Sequence, residues 1–388
     1  MTDTEACIAL NMVPHLGPLR LRKLLERLES PQRILGASAS ELQKVEGIGP
    51  EIAATLARWQ DAIDLSAELA LIEEFGARVI TQADPLFPRA LREIYNPPIV
   101  LYVWGTLAER DHHAVGIVGS RKTSHYGLSS AKKLAYQIAY TGVTVVSGLA
   151  RGIDTAAHQG ALAANGRTVA VIGSGLLALY PPENAGLAEK IAASGAVLSE
   201  YPMKFPPSPQ NFPYRNRIVA GWGSGLLVVE AGLNSGALIT ANQAAECGRQ
   251  VYAVPGPIDR PTSAGSNRLI QQGAKLVTSA ADVLEDMESL FPAANPGFSQ
   301  VKSAAPPSQP PSERSSGSGT RSDWAPSADA LSVWNTLSES PAPLDTIAAE
   351  TGLSVQRVLS LLLDLEMRRR VRQLPGKHFV RATQSPAP

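Results

Sequence analysis

The sequence predicts an α/β protein built on a doubly wound, mostly parallel sheet, with an all-helical segment ahead of it and a small helical module behind. Three observations predict this. Short apolar segments alternate with helical or looped crossovers between residues 115 and 254. One of them, within AVGIVGSR at Ala114–Arg121, runs straight into a glycine turn and then a helix candidate, Tyr126–Thr141. Beyond Phe291 the composition shifts abruptly to Pro, Ser, Ala and Gly, and a helical period returns at Ala328.

Composition sets the outer bounds. A chain of 388 residues with 44% hydrophobic content has room for two or three domains. Its formal net charge is +0, so no global field recruits a polyanion and any nucleic-acid surface is a local patch. Cys7 and Cys247 lie far apart and form no ligand cluster, which argues against a disulfide scaffold and against structural zinc. There is no apolar run of transmembrane length and no basic-then-apolar leader, so no membrane partner and a cytoplasmic location are expected.

Taken in order, residues 5–80 read as wholly helical and residues 1–80 as one domain. In VEGIGPEIAATLARW a small-residue hairpin joins two apolar-periodic helices, the pattern of a helix-hairpin-helix or SAM-like domain. Its turn would offer the amides of Gly47 and Gly49 to a phosphate while Ile48 packs inward, and a weaker echo lies in Leu16–Leu28, with Gly17-Pro18 at the turn. Acidic residues outnumber basic ones here, so DNA contact and a scaffold or protein-contact role both stay open. The stretch Thr81–Gly105 is rich in proline and aromatics, and its PPIVLYVWG reads as an extended strand ahead of the central sheet.

The domain 81–291 follows. Its strand candidates are Val115–Val118, Val143–Ser147, Thr168–Ile172, Ala196–Ser199, Leu226–Val229 and Val251–Val254. Apolar strands separated by crossovers specify a parallel sheet covered on both faces, with ligands outside the carboxyl ends of the strands. Those ends carry Gly119, Ser120 and Arg121; Gly148–Gly152 with Asp154 and His158; and Gly173-Ser174-Gly175. The fourth opens into a loop and helix holding Lys204, Phe205, Phe212, Arg215, Asn216 and Arg217. The fifth supplies Glu230 and then Asn234, Ser235 and Gly236 at a helix start, and the sixth is followed by Ser266 and Asn267.

Such an edge suits a sugar-phosphate chain, because single strands are held by cationic grooves and by ring or guanidinium faces. The amide-rich turn at Gly119–Arg121 is the expected phosphate cradle. Arg215 and Arg217, two apart on a helix, cannot share a face, so one is expected on phosphate and the other in an internal ion pair. Asp154 reads as a helix cap and His158 as a packing or polar-network residue.

Enzymatic patterns are weaker. The only Gly-Lys pair is Gly376-Lys377, so there is no P-loop, and no G-x-S-x-G elbow occurs. Gly173-Ser174-Gly175 with Ala178 begins a dinucleotide fingerprint, but Tyr180-Pro181-Pro182 interrupts the helix that should follow, so no cofactor is expected. Two alternatives to a non-catalytic strand binder remain: a nucleotide-hydrolysing enzyme of related fold, and a dimeric adaptor without direct DNA contact.

Residues 292–327 read as a disordered linker. Within 328–383, ALSVWNTL, LDTIAAETGL and VQRVLSLLLDLEMRR, followed by RVRQLPG and KHFVRA, describe three helices and a hairpin, the pattern of a winged helix. Its third helix offers Gln356 and Arg357 but is otherwise mostly leucine, with acids at Asp364 and Glu366. Arg368, Arg369 and Arg370 are candidates to grip phosphate, and protein contact or auxiliary DNA binding is favoured over sequence readout.

The ordered series VGSRKTSHYG, SGLARGIDTAAHQGAL, VIGSGLLALYPPEN, LSEYP, FPYRNRIVAG, VVEAGLNSGALITA and VYAVPGPID closely resembles the DNA-processing protein A family, also called DprA or Smf, across Thr81–Phe291. The resemblance implies a Rossmann-like doubly wound domain that binds single-stranded DNA without known catalysis, forms homodimers, shields strands from nucleases and loads the RecA recombinase during natural transformation or recombination. By motif position it places the strand-binding groups on Ser120, Arg121, Lys204, a loop aromatic (Phe205 or Phe212), Asn234 and Ser266.

Overall fold

Seven helices open the chain: α1 (Asp3–Met12), α2 (Pro18–Leu28), α3 (Pro31–Gly36), α4 (Ala39–Leu42), α5 (Pro50–Ala57), α6 (Trp59–Ala62) and α7 (Leu65–Phe75). The computed structural model describes residues 1–290, 328–338, 342–355, 357–358, 361–362, 365, 371–374 and 378–381, in two compact units, Met1–Pro307 and Ser308–Pro388. The segment 292–327, Gln356, Asp364, Glu366 and the candidates Arg368, Arg369 and Arg370 lie outside the described residues.

The hairpin echo is a structural repeat. Val13–Pro18 and Val45–Pro50 each place a left-handed residue (His15, φ 63; Gly47, φ 85) before a buried Leu16 or Ile48, then a glycine N-cap and a proline opening α2 or α5. Arg20 ties the two turns together by donating to the His15 carbonyl at 2.7 Å and the Gly47 carbonyl at 3.0 Å. Helicity stops short of residue 80, however. Arg78–Thr81 is a strand, β1, because Val79 and Ile80 are β-branched and pair antiparallel with β2 (Val100–Gly105).

After the short helix α8 (Arg89–Arg92) and β2, the sheet continues through β3 (Ala114–Val118), β4 (Thr144–Ser147), β5 (Thr168–Ile172), β6 (Ala196–Ser199), β7 (Gly225–Val228), β8 (Gln250–Ala253) and β9 (Lys275–Leu276). Its order is β1-β2-β6-β5-β4-β3-β7-β8-β9, parallel from β6 to β9, with β1 and β2 antiparallel at one edge. Strands β3 to β7 are buried throughout, as their continuous apolar sequences require. Val115, Ile117 and Val145 pack under α9 (His125–Tyr140) and α10 (Ile153–Ala163). Val146, Leu226 and Val228 pack on the other face with α12 (Asn211–Trp222) and α13 (Gly236–Glu246). The N-terminal helices join α11 (Ala185–Ser194) over β2, β5 and β6. Chain order runs from β3 outward to β6 and then returns beside β3 at β7, so the crossovers diverge between β3 and β7, where open sheets of this kind leave a crevice.

In the second unit, helices Ala328–Thr336 and Leu344–Thr351 pack with Val358, Leu361, Leu362 and Leu365 against a three-stranded antiparallel sheet that includes Val371–Leu374 and His378–Arg381. This is a winged helix. Its Arg357 is engaged internally, donating to Asp329 at 3.1 Å.

Candidate nucleic-acid interface

A cleft of about 990 Å³ opens at the divergence between β3 and β7. One wall is the turn after β3, Gly119–Lys122; the facing wall is Gly232–Gly236, leading into α13; the remaining side comes from Pro207–Pro209 and Phe212. Arg121 is exposed there, with its guanidinium 4.9 Å over the centroid of the Phe212 ring.

The turn after β3 is held by Glu230. This buried carboxylate accepts from the Thr123 hydroxyl, the Ser124 amide at 2.9 Å and the Ser124 hydroxyl at 3.1 Å. Burial alone would raise its carboxyl; the hydrogen bonds from Thr123, Thr262 and Ser124 hold it below the usual range. Glu230 is therefore a strut for the turn.

That arrangement claims part of the turn. The Ser120 amide donates to the Glu230 carbonyl at 2.7 Å and the Lys122 amide to the Ser120 hydroxyl at 3.2 Å, while the amides of Gly119 and Arg121 find no acceptor among the described residues. Asp154 likewise takes the amides of Gly148 (3.1 Å) and Ala150 (3.4 Å) after β4, and Gly175 after β5 donates to the Phe205 carbonyl. Further open amides are on the opposite wall. Among the described residues those of Asn234 and Gly236 find no acceptor, and Ser235 caps α13 by accepting from Ala237. The positive end of α13 thus faces the Arg121 wall.

The floor is a buried pair of charges. Arg215 donates to the carbonyls of Gly148 and Val171, with Asp154 close by. Gly148 permits this approach, because a Cβ there would stand 2.6–2.7 Å from both Arg215 Nη atoms and from Asp154 Oδ2. Burial raises the Asp154 carboxyl to about 6 despite Arg215 and lowers Arg215 to about 10. Gly152, at φ +78, lets α10 start beneath the turn, where Ile153 donates to the Ser120 carbonyl at 3.3 Å.

The structure thus brings together Gly119, Ser120, Arg121, Phe212, Arg215, Asn216, Asn234, Ser235 and Gly236. Five other candidates are absent from the cleft lining. Lys204 is exposed on the loop that supplies Pro207–Pro209, without an ion-pair partner among the described residues. Phe205 stacks on Tyr201, centroids 4.8 Å apart. Arg217 is buried on Glu200, with Nη2 donating to its carboxylate at 2.5 and 2.7 Å, and lies 4.4 Å from the Tyr214 centroid. The buried Ser266 hydroxyl donates to the Ser263 carbonyl, and Asn267 exchanges two hydrogen bonds with the Gly256 backbone. His158 donates from Nδ1 to Thr168 at 2.7 Å, since that hydroxyl's own hydrogen is committed to the Val145 carbonyl.

Sequence reasoning missed Lys122 and Tyr180, both in the lining. Adjacency to Arg121 was a usable signal for Lys122, whereas Tyr180 had appeared only as a helix break. The hairpin glycines Gly47 and Gly49 line a separate surface concavity with Arg20 and Lys44. Among the described residues no helix is long and apolar enough to cross a membrane.

Residues 78–288 match the family model described as DNA recombination-mediator protein A, and residues 303–377 match a DprA winged helix domain. Protein Smf of Synechocystis is 35% identical over 390 aligned positions, covering 96% of this chain and 98% of that one. DNA processing protein DprA of Streptococcus pneumoniae is 46% identical over 210 residues, 53% of this chain and 72% of that protein. The X-ray structure of DNA processing protein A (DprA) from Streptococcus pneumoniae is similar at a TM-score of 0.65 and 38% identity, over 74% of this chain and 99% of that chain.

Proposed function

Because the chain belongs to the DNA recombination-mediator protein A family, we propose that it binds single-stranded DNA in the cleft between the ends of β3 and β7. In this reading it is a non-catalytic, cytoplasmic homodimer that protects the strand and loads RecA recombinase in transformation or recombination. In the same reading the helices that end at Phe75 form a first domain, the sheet from β1 onward the strand-binding domain and residues 328–383 the winged helix, with 292–327 proposed as the tether between them.

One observation carries the reading: a free guanidinium on an aromatic face opposes a helix N-terminus with open amides. Phosphates fit the cationic wall and the amides of Asn234 and Gly236, and a base fits against Phe212. Lys204 stands on the adjoining loop as a further phosphate contact.

Fluorescence anisotropy with an oligothymidine at several salt concentrations tests this. Arg121→Ala should weaken binding and reduce the logarithmic salt slope by about 0.7, one phosphate's share on a single strand. Phe212→Leu should weaken it by about 1–3 kcal/mol, the worth of one stacked base, and Phe205→Leu should not. Wild-type affinity in Arg121→Ala together with Lys204→Ala would refute the proposal.

A further inference from the structure

The cleft does not end at Phe212. Tyr180 lies beside that ring, centroids 5.7 Å apart and planes at 43°. The Arg151 guanidinium stands 5.6 Å from the Tyr180 centroid, and its Nη1 donates to the Tyr180 hydroxyl at 3.3 Å. A small continuation of the cleft opens here, lined by Arg121, Ala150, Arg151, Tyr180, Phe212 and Arg215 among others. Arg151 comes from the loop between β4 and α10, and Tyr180 from the loop after β5, so two separate crossovers converge on it.

Guanidinium, ring, ring, guanidinium: the sequence Arg121, Phe212, Tyr180, Arg151 provides a second cation and a second π face beside the first. Two successive nucleotides present two neighbouring bases and two phosphates, one for each of these groups. The second cation is already occupied. Arg151 Nε donates to Glu183, both side chains being half exposed, and this bond holds the Glu183 carboxyl below its usual range. A half-exposed pair in water is weak, and a carboxylate and a phosphate oxygen ask the same geometry of a guanidinium.

We propose that Tyr180 and Arg151 form a second nucleotide subsite, next along the strand from Arg121 and Phe212, and that Glu183 holds Arg151 as a phosphate surrogate which the strand displaces. The subsite rests on the cleft being the single-strand groove. Its distinguishing feature is opposite responses from two neighbouring residues.

The test compares oligothymidines of about 4 and about 16 nucleotides, spanning the usual range of single-strand sites. With the longer one, Arg151→Gln should lower the salt slope by about 0.7, and Glu183→Gln, which frees the guanidinium, should tighten binding. Tyr180→Ala should weaken the longer oligonucleotide roughly tenfold and the shorter one less, while Tyr180→Phe keeps the ring and most of the affinity. Melting curves check that each variant is folded. If Arg121→Ala weakens binding while Arg151→Gln and Glu183→Gln both match wild type, the groove stands and the second subsite is wrong. If Glu183→Gln weakens binding, the surrogate role is wrong. Should Arg121→Ala match wild type, the groove and the subsite fall together.

Discussion

Replacing Arg217 by methionine should damage stability and leave strand binding untouched. Arg217 and Glu200 are each about 5% exposed, and the guanidinium donates from one nitrogen to both carboxylate oxygens. Removing the cation strands a buried carboxylate, which costs about 3–5 kcal/mol. With a urea dependence of about 3 kcal/mol per molar, that lowers the unfolding midpoint by about 1–2 M, read by circular dichroism. Burial already pushes the Glu200 carboxyl up, with Arg217 opposing. Without Arg217 the folded pKa rises further above the unfolded one, so the missing stability returns as pH falls and the carboxyl takes a proton. The double change Arg217→Met with Glu200→Leu should return to within about 1 kcal/mol of wild type, because Arg217 Nε and Nη1 have no hydrogen-bond partner among the described residues and the pair is under-satisfied. A single-variant loss below about 1 kcal/mol, or a double variant as unstable as the single, would refute this account.

Two further outcomes follow from the cleft floor and the helix beneath it. Gly148→Ala should cost about 1–3 kcal/mol in a urea melt and weaken strand binding, because its Cβ would press on Arg215 and Asp154, neither of which has room to move; wild-type stability would contradict the packing. His158 is buried neutral, its Nε2 without a hydrogen-bond partner among the described residues, and its pKa is lowered to about 3 by burial and Arg215. Its contribution is therefore present above the unfolded value near 6.5 and lost as pH falls toward 3, at up to about 1.4 kcal/mol per pH unit. Asp154, raised to about 6, acts in the opposite sense: its contribution is full below the unfolded value and lost as pH rises through 6. In wild type the two slopes offset each other between about 4 and 6. His158→Gln should gain stability relative to wild type on acidification in that window, and an unchanged difference would show that the imidazole is not held neutral.

The sheet was legible because parallel strands buried on both faces write continuous apolar runs, and the observed β3, β5 and β6 begin and end within one residue of their expected limits. Strand β9, two residues long, carries no period to read. The Arg121 wall and the α13 turn follow from strand ends alone. What escaped were the partners of side chains. Nothing local says that Glu200 waits for Arg217, that the Ser120 and Lys122 amides are claimed by Glu230 and Ser120, or that Tyr180 reaches Phe212 from another crossover. Such pairings depend on the three-dimensional meeting of distant segments. They turned five candidates away from the cleft lining and added open amides on the facing wall.

Strands β3 and β7 are hydrogen-bonded neighbours from Val115 and Gly225 to Val118 and Val228. The gap between the turns that follow them is consequently spanned by backbone, and cannot dilate without tearing consecutive rungs of the ladder. Between those two turns, accommodation is left to the guest. A polymer that pivots about every sugar-phosphate bond can adjust to such a slot, whereas a double helix, stiff over a persistence length of about 150 base pairs, adjusts far less. Stiffness, before any base is read, is thus one ground on which the two differ as guests.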